Sequence, residues 1–374
     1  LIVESLHLSS YRNIEEATLE FSDRFNFITG RNAQGKTNLL EAIHLFSLGR
    51  SFRTRRASEM IRFGSEHFFL RLTGRSDSGV AFRLEMGQER SGRTRLSVNG
   101  RQMNSVSEII GFMPSVIFTP GDVELSSGPP AGRRVYLDYT AAQVSPGFLA
   151  DLKEYRQALK QRNSLLRAAA AGAALDESQL CAWDEALARK GTAVVRGRVE
   201  MLGVVAGRAR EIFGEVLGQA DGLELEYRCS YDPEGTGEES LLGALLAARE
   251  SERRRGYTMA GPHYDDVVMR IGGEDVRRYA SQGRRRLLAV VLKLAQADVI
   301  MSRRGERPVV LLDDIFSELD PGVAAGVRKM LSDRYQSFIT SPREEDFPGD
   351  IPGAARLDVE KGVFDGSRGP QKHS

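Results

Sequence analysis

Ile2 to Leu8 and Ala17 to Phe21 alternate apolar and polar residues, as half-buried strands do, and Arg24 to Thr29 predicts a short core strand. From Lys36 to Leu48 the spacing of Leu39, Leu40, Ile43 and Phe46 changes to that of a helix. Between His67 and Val98 the runs FFLRLTG, VAFRLEM and TRLSV are separated by glycine, serine and aspartate, which predicts a small antiparallel sheet. Ser115 to Phe118 predicts a further core strand, followed by the loop-like TPGDVELSSGPPAG.

The texture then changes. From Arg133 to Leu217 apolar residues recur at helical spacing, with a break near Gly172 to Ser178 short enough for the turn of an antiparallel helical pair. Leu223 to Cys229 predicts a strand and Glu238 to Arg254 a helix. After Gly256 the series VVMRI, the helix after Ser281, PVVLLDD, a helix near Val323 to Leu331, QSFIT and ARLDV alternates strand with helix. The pattern predicts two halves of one α/β unit, 1–132 and 257–365, interrupted by a helical insert, 133–256, and a disordered polar tail, 366–374.

Composition narrows this little. Lys+Arg and Asp+Glu number 52 and 51, a net charge of +1, so a nucleic-acid surface has to be a local patch. The two cysteines, Cys181 and Cys229, make a disulfide framework unexpected. With no signal-like start and no apolar run of about 18 residues, a cytoplasmic protein with no membrane contact is expected.

Candidate chemistry begins at ITGRNAQGKTN, which fits G-x-x-x-x-G-K-[ST] between a predicted strand and a predicted helix. Gly30, Arg31, Asn32, Ala33, Gln34, Gly35, Lys36, Thr37 and Asn38 are the expected phosphate-binding residues. Gly30 and Gly35 allow a tight loop whose amides face a phosphate, Lys36 neutralises the β- and γ-phosphates, and Thr37 offers a hydroxyl to Mg²⁺. Far along the chain, RPVVLLDDIFSELD ends a core strand in Asp313 and Asp314. Asp313 is expected to hold Mg²⁺ and Asp314 to polarise the attacking water, which with Lys36 makes three catalytic candidates. The stretch RRYASQGRRRLLAVVLKLAQA puts Arg284, Arg285 and Arg286 at a helix start, the pole that already carries positive charge. Either this is a solvated face, or an anion comes to it.

Gly30–Thr37, Ser281-Gln282-Gly283, LLDD at 311–314 and SELD at 317–320 resemble, in order, the elements of an ABC-type ATPase head. With YRN at 11–13, GRSFRT at 49–54 and GPHYDD at 261–266, the chain resembles the RecF family of recombination mediators, relatives of the SMC and Rad50 heads. The resemblance implies a P-loop ATPase head with an antiparallel β-subdomain and an inserted helical lid. It implies a weak, DNA-stimulated ATPase that dimerises on ATP and binds duplex and gapped or junction DNA. It also implies work with RecO and RecR to load RecA at single-strand gaps. By motif, Arg12 and Asn13 lie near the nucleotide, Ser281, Gln282 and Gly283 face the ATP of a second copy, and Ser281, Gly283 and Asp320 meet that copy. The usual ABC histidine after the last core strand is not found in QSFITSP, where Thr340 or Ser341 takes its region.

DNA is expected at LGRSFRTRRASEMIRFG, through Arg50, Arg53, Arg55, Arg56 and Arg62. The bland alternative is a solvated basic loop. The rival to the whole reading is an SMC/Rad50-type ATPase, which wants a long heptad coiled coil, or a transporter ATPase subunit, which wants a membrane partner. GPHYDD, with one histidine and two carboxylates, is a poor metal site; a structural or nucleotide-sensing turn suits it better.

Overall fold

β1 (Ile2–Tyr11) and β2 (Ile14–Glu20) form an antiparallel hairpin, with Leu6 opposite Leu19 and Leu8 opposite Ala17. The buried run β3 (Phe25–Thr29) leads to helix α1 (Lys36–Leu48). Strands β4 (His67–Arg75), β5 (Ala81–Glu89), β6 (Thr94–Val98) and β7 (Arg101–Met103) follow as a meander, and then comes the core strand β8 (Ser115–Phe118). The computed structural model describes residues 1–217, 222–231, 237–332, 334–347, 351 and 353–367.

Next in the chain come α2 (Glu124–Ser127), α3 (Pro130–Val144), α4 (Pro146–Ala170) and α5 (Glu177–Leu217). They are followed by β9 (Leu223–Arg228), α6 (Glu238–Arg255), β10 (Asp266–Ile271), β11 (Glu274–Asp275) and α7 (Val276–Tyr279). The last stretch holds α8 (Gln282–Arg304), β12 (Val309–Asp313), α9 (Pro321–Ser332), β13 (Ser337–Ser341), β14 (Ala355–Glu360) and β15 (Val363–Ser367). Gly366 and Ser367, expected in the tail, pair in β15, and residues 368–374 lie outside the described residues.

The chain divides into two compact units, Leu1–Asp122 with Arg286–Ser374, and Val123–Arg285. The first holds two six-stranded sheets. One is antiparallel, ordered β2-β1-β4-β5-β6-β7; it is the expected β-subdomain, with the two N-terminal strands added to it. The other, ordered β15-β14-β3-β13-β12-β8, is parallel except where β15 pairs with β14. Helix α1 packs against β1 on one side and β8, β12 and β13 on the other, so it is buried continuously from Leu39 to Leu48. Each of Leu39, Leu40, Ile43 and Phe46, all at most 1% exposed, contributes roughly 1.5–3 kcal/mol by burial. Burial on every side also traps Glu41, His44 and Ser47 in the core, and each must find a polar partner there.

The second unit is wider than the 133–256 expected for the insert. β10 pairs antiparallel with β9 from Asp266 opposite Arg228 to Ile271 opposite Leu223, and Arg133 holds the Asp266 carboxylate at 2.7 and 3.0 Å. These long-range bonds place GPHYDD and VVMRI with the helices. Helices α4 and α5 are antiparallel, since Lys190 meets Asp151 at 2.9 Å and Arg162 meets Asp184 at 2.6 Å. Among the described residues no helix is long and apolar enough to cross a membrane.

Candidate active site

The parallel sheet delivers its functional side chains at the C-terminal ends of its strands, as open α/β sheets do. β3 ends at Thr29 and turns through Gly30, whose φ is +142° and whose missing Cβ would stand 2.3 Å from the Val359 carbonyl oxygen. No residue but glycine fits there. Ala33 (φ +65°) and Gly35 (φ +126°) complete the reversal, and α1 begins with no side-chain cap and no acidic residue in its first turn. Its free amides and dipole therefore point at open loop, the arrangement that binds a phosphate. Arg31 and Asn32 are exposed at the loop tip.

Lys36 is buried, and its amine donates to the Gly30 and Arg31 carbonyls. Burial lowers its pKa, opposed by the nearby Asp314 and Asp313 carboxylates. The Thr37 hydroxyl reaches Asp313 Oδ1 at 2.8 Å and Oδ2 at 3.0 Å. Parallel register sets Asp313 beside Thr340, whose hydroxyl donates to Asp313 Oδ1 at 2.9 Å and accepts from the Asp314 amide at 3.0 Å. Asp314 has a left-handed backbone (φ +55°), and burial raises its carboxyl pKa against the pull of Lys36, with Asp313 adding to the rise. Ser317 braces it with a hydrogen bond to its carbonyl at 3.1 Å.

The donor set suits Mg²⁺. A hydroxyl and one carboxylate stand together, and Mg²⁺ asks few ligands of a protein when phosphates and waters supply the rest. Among the described residues no cluster of three or more His, Cys, Asp or Glu offers a metal a competing cage.

Arg12 and Asn13 reach this site in different ways. Asn13 donates to the Gln34 carbonyl at 2.8 Å and accepts from Asn38 Nδ2 at 2.7 Å, so it buttresses the loop directly. Gln34 is pinned from the other side, its carbonyl accepting from the Gly362 amide at 2.8 Å. Arg12 instead forks onto the Glu41 carboxylate at 2.8 and 2.6 Å. Glu41, fully buried in α1, also takes the Ser51 hydroxyl and stands 3.7 Å from Arg53. Sequence reasoning missed Glu41 and the hydroxyl role of Thr340. The signal for Glu41 was a carboxylate inside an apolar helical stretch that needed a cation nearby.

The five expected DNA arginines separate. Arg53 donates to Asn38 Oδ1 at 2.6 Å and joins the phosphate-loop network. Arg55 and Arg56 are exposed, Arg56 with Glu59 only at 4.0 Å, while Arg62 pairs with Glu15 at 2.9 Å. Arg50 is exposed at the helix exit. Phe52 is partly buried, its ring edge-on to His44.

Ser281, Gln282 and Gly283 lie in the other unit, exposed at the start of α8, with Ser281 Oγ accepting from the Arg284 amide at 3.4 Å. That first turn holds no acidic residue. Asp320 is exposed just before α9, its carbonyl accepting from Ala324. In GPHYDD, Asp265 is fully buried and accepts from the Tyr227 hydroxyl (2.6 Å) and the Ser230 amide (2.8 Å). Nδ1 of His263 meets the Tyr155 hydroxyl at 2.5 Å. These contacts fasten the turn into its own unit.

The RecF/RecN/SMC N-terminal domain matches residues 2–349. The DNA replication and repair protein RecF of Symbiobacterium thermophilum is 36% identical over 359 residues, covering 92% of each chain. A solved structure of the recombination mediator protein RecF-ATP in the RecFOR pathway superposes with a TM-score of 0.90 at 33% identity, covering 98% of each chain. An SMC head bound to the C-terminal winged-helix domain of ScpA superposes with a TM-score of 0.56 at 17% identity, a likeness of fold: the ABC-type ATPase head.

Proposed function

The chain belongs to the RecF family of recombination mediators, and from that premise we propose that it is an ATP-gated DNA-binding protein whose slow hydrolysis opens the clamp that ATP closes. The observation that carries this is the meeting of Thr37 and Asp313 beside the uncapped start of α1. It supports ATP as the ligand: the amides of Gly30 to Asn38 cradle its phosphates, and the Lys36 amine swings from the loop carbonyls onto the β- and γ-oxygens.

Thr37 and Asp313 are the residues that would hold Mg²⁺, which when bound supplies Lewis-acid neutralisation of the phosphate oxygens. Asp314 orients the attacking water and accepts its proton. Its raised pKa makes it a better base than an ordinary aspartate. Thr340 keeps Asp313 and the Asp314 backbone in register.

Ser281-Gln282-Gly283 is read as the partner half of this site. An exposed helix start without an acidic residue suits the γ-phosphate of ATP held by a second copy, and Asp320 would lie along the same dimer interface. DNA, duplex or gapped, meets Arg50, Arg55, Arg56 and Arg62, with Arg53 bridging to the nucleotide loop. RecR, with RecO, is the expected partner in loading RecA, and the cytoplasm the expected compartment.

Sedimentation of wild type and Lys36→Met with gapped DNA, with and without ATP, tests the proposal. Wild type should dimerise and bind DNA only with ATP, and Lys36→Met should do neither. A wild-type protein that stays monomeric and free of DNA in ATP would refute it.

A further inference from the structure

Phe63 is 96% exposed, on a turn that has no freedom to hide it. The turn runs from Arg62 to Ser65, closed by the Ser65 amide on the Arg62 carbonyl at 3.0 Å, with Gly64 at φ +84°. A positive φ at the third position makes this a type II turn, with Phe63 at its second position. Arg62 is anchored to β1 through its amide and the Ser10 carbonyl at 2.8 Å. Arg90, just past β5, braces the same turn by donating to the Ser65 carbonyl at 2.6 Å and the Arg62 carbonyl at 3.3 Å. Four backbone and side-chain bonds would not be needed for a floppy tip, and phenylalanine at full exposure gains nothing from folding.

Resting on the DNA-binding reading above, we infer that Phe63 is a stacking residue for an unpaired base at the point where single strand meets duplex. Its surroundings choose this occupant. Arg55, Arg56, Arg62 and Arg90 stand on or beside the segment, against Glu15, Glu59 and Glu66, and only Arg62 and Arg56 spend charge on those carboxylates. Arg90 gives its guanidinium to backbone carbonyls, so its charge is free for a phosphate. Arg90 also lines an open groove of about 630 Å³ on the outer face of β4, β5 and β6, together with Arg93, which forms no ion pair among the described residues. The groove carries Glu66, Glu85 and Glu89 beside Arg90, Arg93 and Arg95, so its cations are interspersed with carboxylates.

A protein partner fits less well. Its interface needs a contiguous apolar core, and among the described residues β1, β4 and β5, which hold this turn, carry no other exposed large apolar side chain. One isolated ring edged by arginines is what a base requires: a π-face to stack on, and cations for the flanking phosphates. No described aromatic ring or cation covers the ring of Phe63, so both faces remain available.

The test is binding of wild type, Phe63→Ala and Phe63→Trp, with ATP and Mg²⁺, to a gapped duplex and to the same duplex without a gap. 2-Aminopurine at the first unpaired position reports stacking directly. Because Phe63 touches no core, the variants should fold as wild type does, which circular dichroism verifies. Phe63→Ala should bind the gapped DNA roughly ten-fold more weakly, with the duplex affinity and salt slope unchanged and the 2-aminopurine change lost. Phe63→Trp should restore both. Equal loss on gapped and intact duplex, or no loss on either, overturns the stacking role while leaving DNA binding intact. A wild type that binds neither DNA overturns the DNA-binding reading itself, and this one with it.

Discussion

Arg53 donates from Nη1 to Asn38 Oδ1 at 2.6 Å, which fastens one arginine of the basic segment to the first turn of the phosphate-loop helix. Asn38 passes the contact to Asn13, and Asn13 to the Gln34 carbonyl, so four residues connect the basic segment to the loop that would hold ATP. The chain is short and each link is under 3 Å.

Arg53 and Arg56 should therefore behave differently when removed. Arg56→Ala takes away an exposed cation, so DNA binding should weaken alike for many sequences, with the salt slope reduced by about 1 and ATP turnover without DNA unchanged. Arg53→Ala also unpins Asn38 and leaves buried Glu41 with Arg12 as its only cation among the described residues, so turnover without DNA should fall as well. ATPase assays with and without DNA, beside salt titrations of binding, separate the two. Identical behaviour of the variants would break the proposed link.

Thr340 lies in the region where ABC heads carry a histidine, yet its hydroxyl contacts the Asp313 carboxylate and the Asp314 amide. Thr340→Val keeps the shape and removes both hydrogen bonds. ATP hydrolysis should fall about 10- to 100-fold, as when a group orienting a metal ligand is lost, with ATP binding retained. Leaving Asp313 and the Asp314 amide short of a partner should also cost about 1–3 kcal/mol of stability. Thr340→Ser should recover turnover. If Thr340→Val hydrolyses ATP at the wild-type rate, the hydroxyl is packing and nothing more.

The phosphate loop and the strand ending in Asp313 were legible because both are local patterns. Gly30 to Thr37 is a spacing, and Val309 to Asp314 is an apolar run with a charged end. Their meeting was inferred from the motifs, and the structure brings Thr37 and Asp313 into contact. What pattern could not show is what depends on register between distant segments. Thr340 lies beside Asp313 only because β13 aligns with β12, and Arg53 finds Asn38 only because the chain after α1 turns back. The width of the second unit was illegible for the same reason: β9 and β10 are separated by a helix, and only their ladder assigns 257–285 to the helices. Burial of α1 on both sides, which gives Glu41 its importance, needs two sheets that no local period reveals.

A core histidine and a half-buried one predict how stability changes with pH. His44 in α1 is hydrogen-bonded to Ser115, and burial, aided by Lys293 and Arg50, lowers its pKa to about 3. His263 is bonded to Tyr155, and burial lowers it to about 4. Both are neutral in the folded protein at pH 7, whereas in the unfolded chain both protonate near 6.5. As pH falls below 6.5 the unfolded state alone takes up these protons, so stability is lost, by at most about 1.4 kcal/mol per pH unit for each histidine. The loss continues to about pH 4 for His263 and about pH 3 for His44. Between pH 6.5 and 5 ordinary carboxylates are still ionised in both states, so the histidines dominate that window. Urea unfolding at pH 7.5, 6.5, 5.5 and 5 should show the midpoint falling steadily below 6.5. His263→Gln, which has no proton to gain in the unfolded chain, should flatten the trend by about half, since two similar histidines share it. A midpoint constant from pH 7.5 to 5 in wild type would mean that neither imidazole is held neutral by the fold.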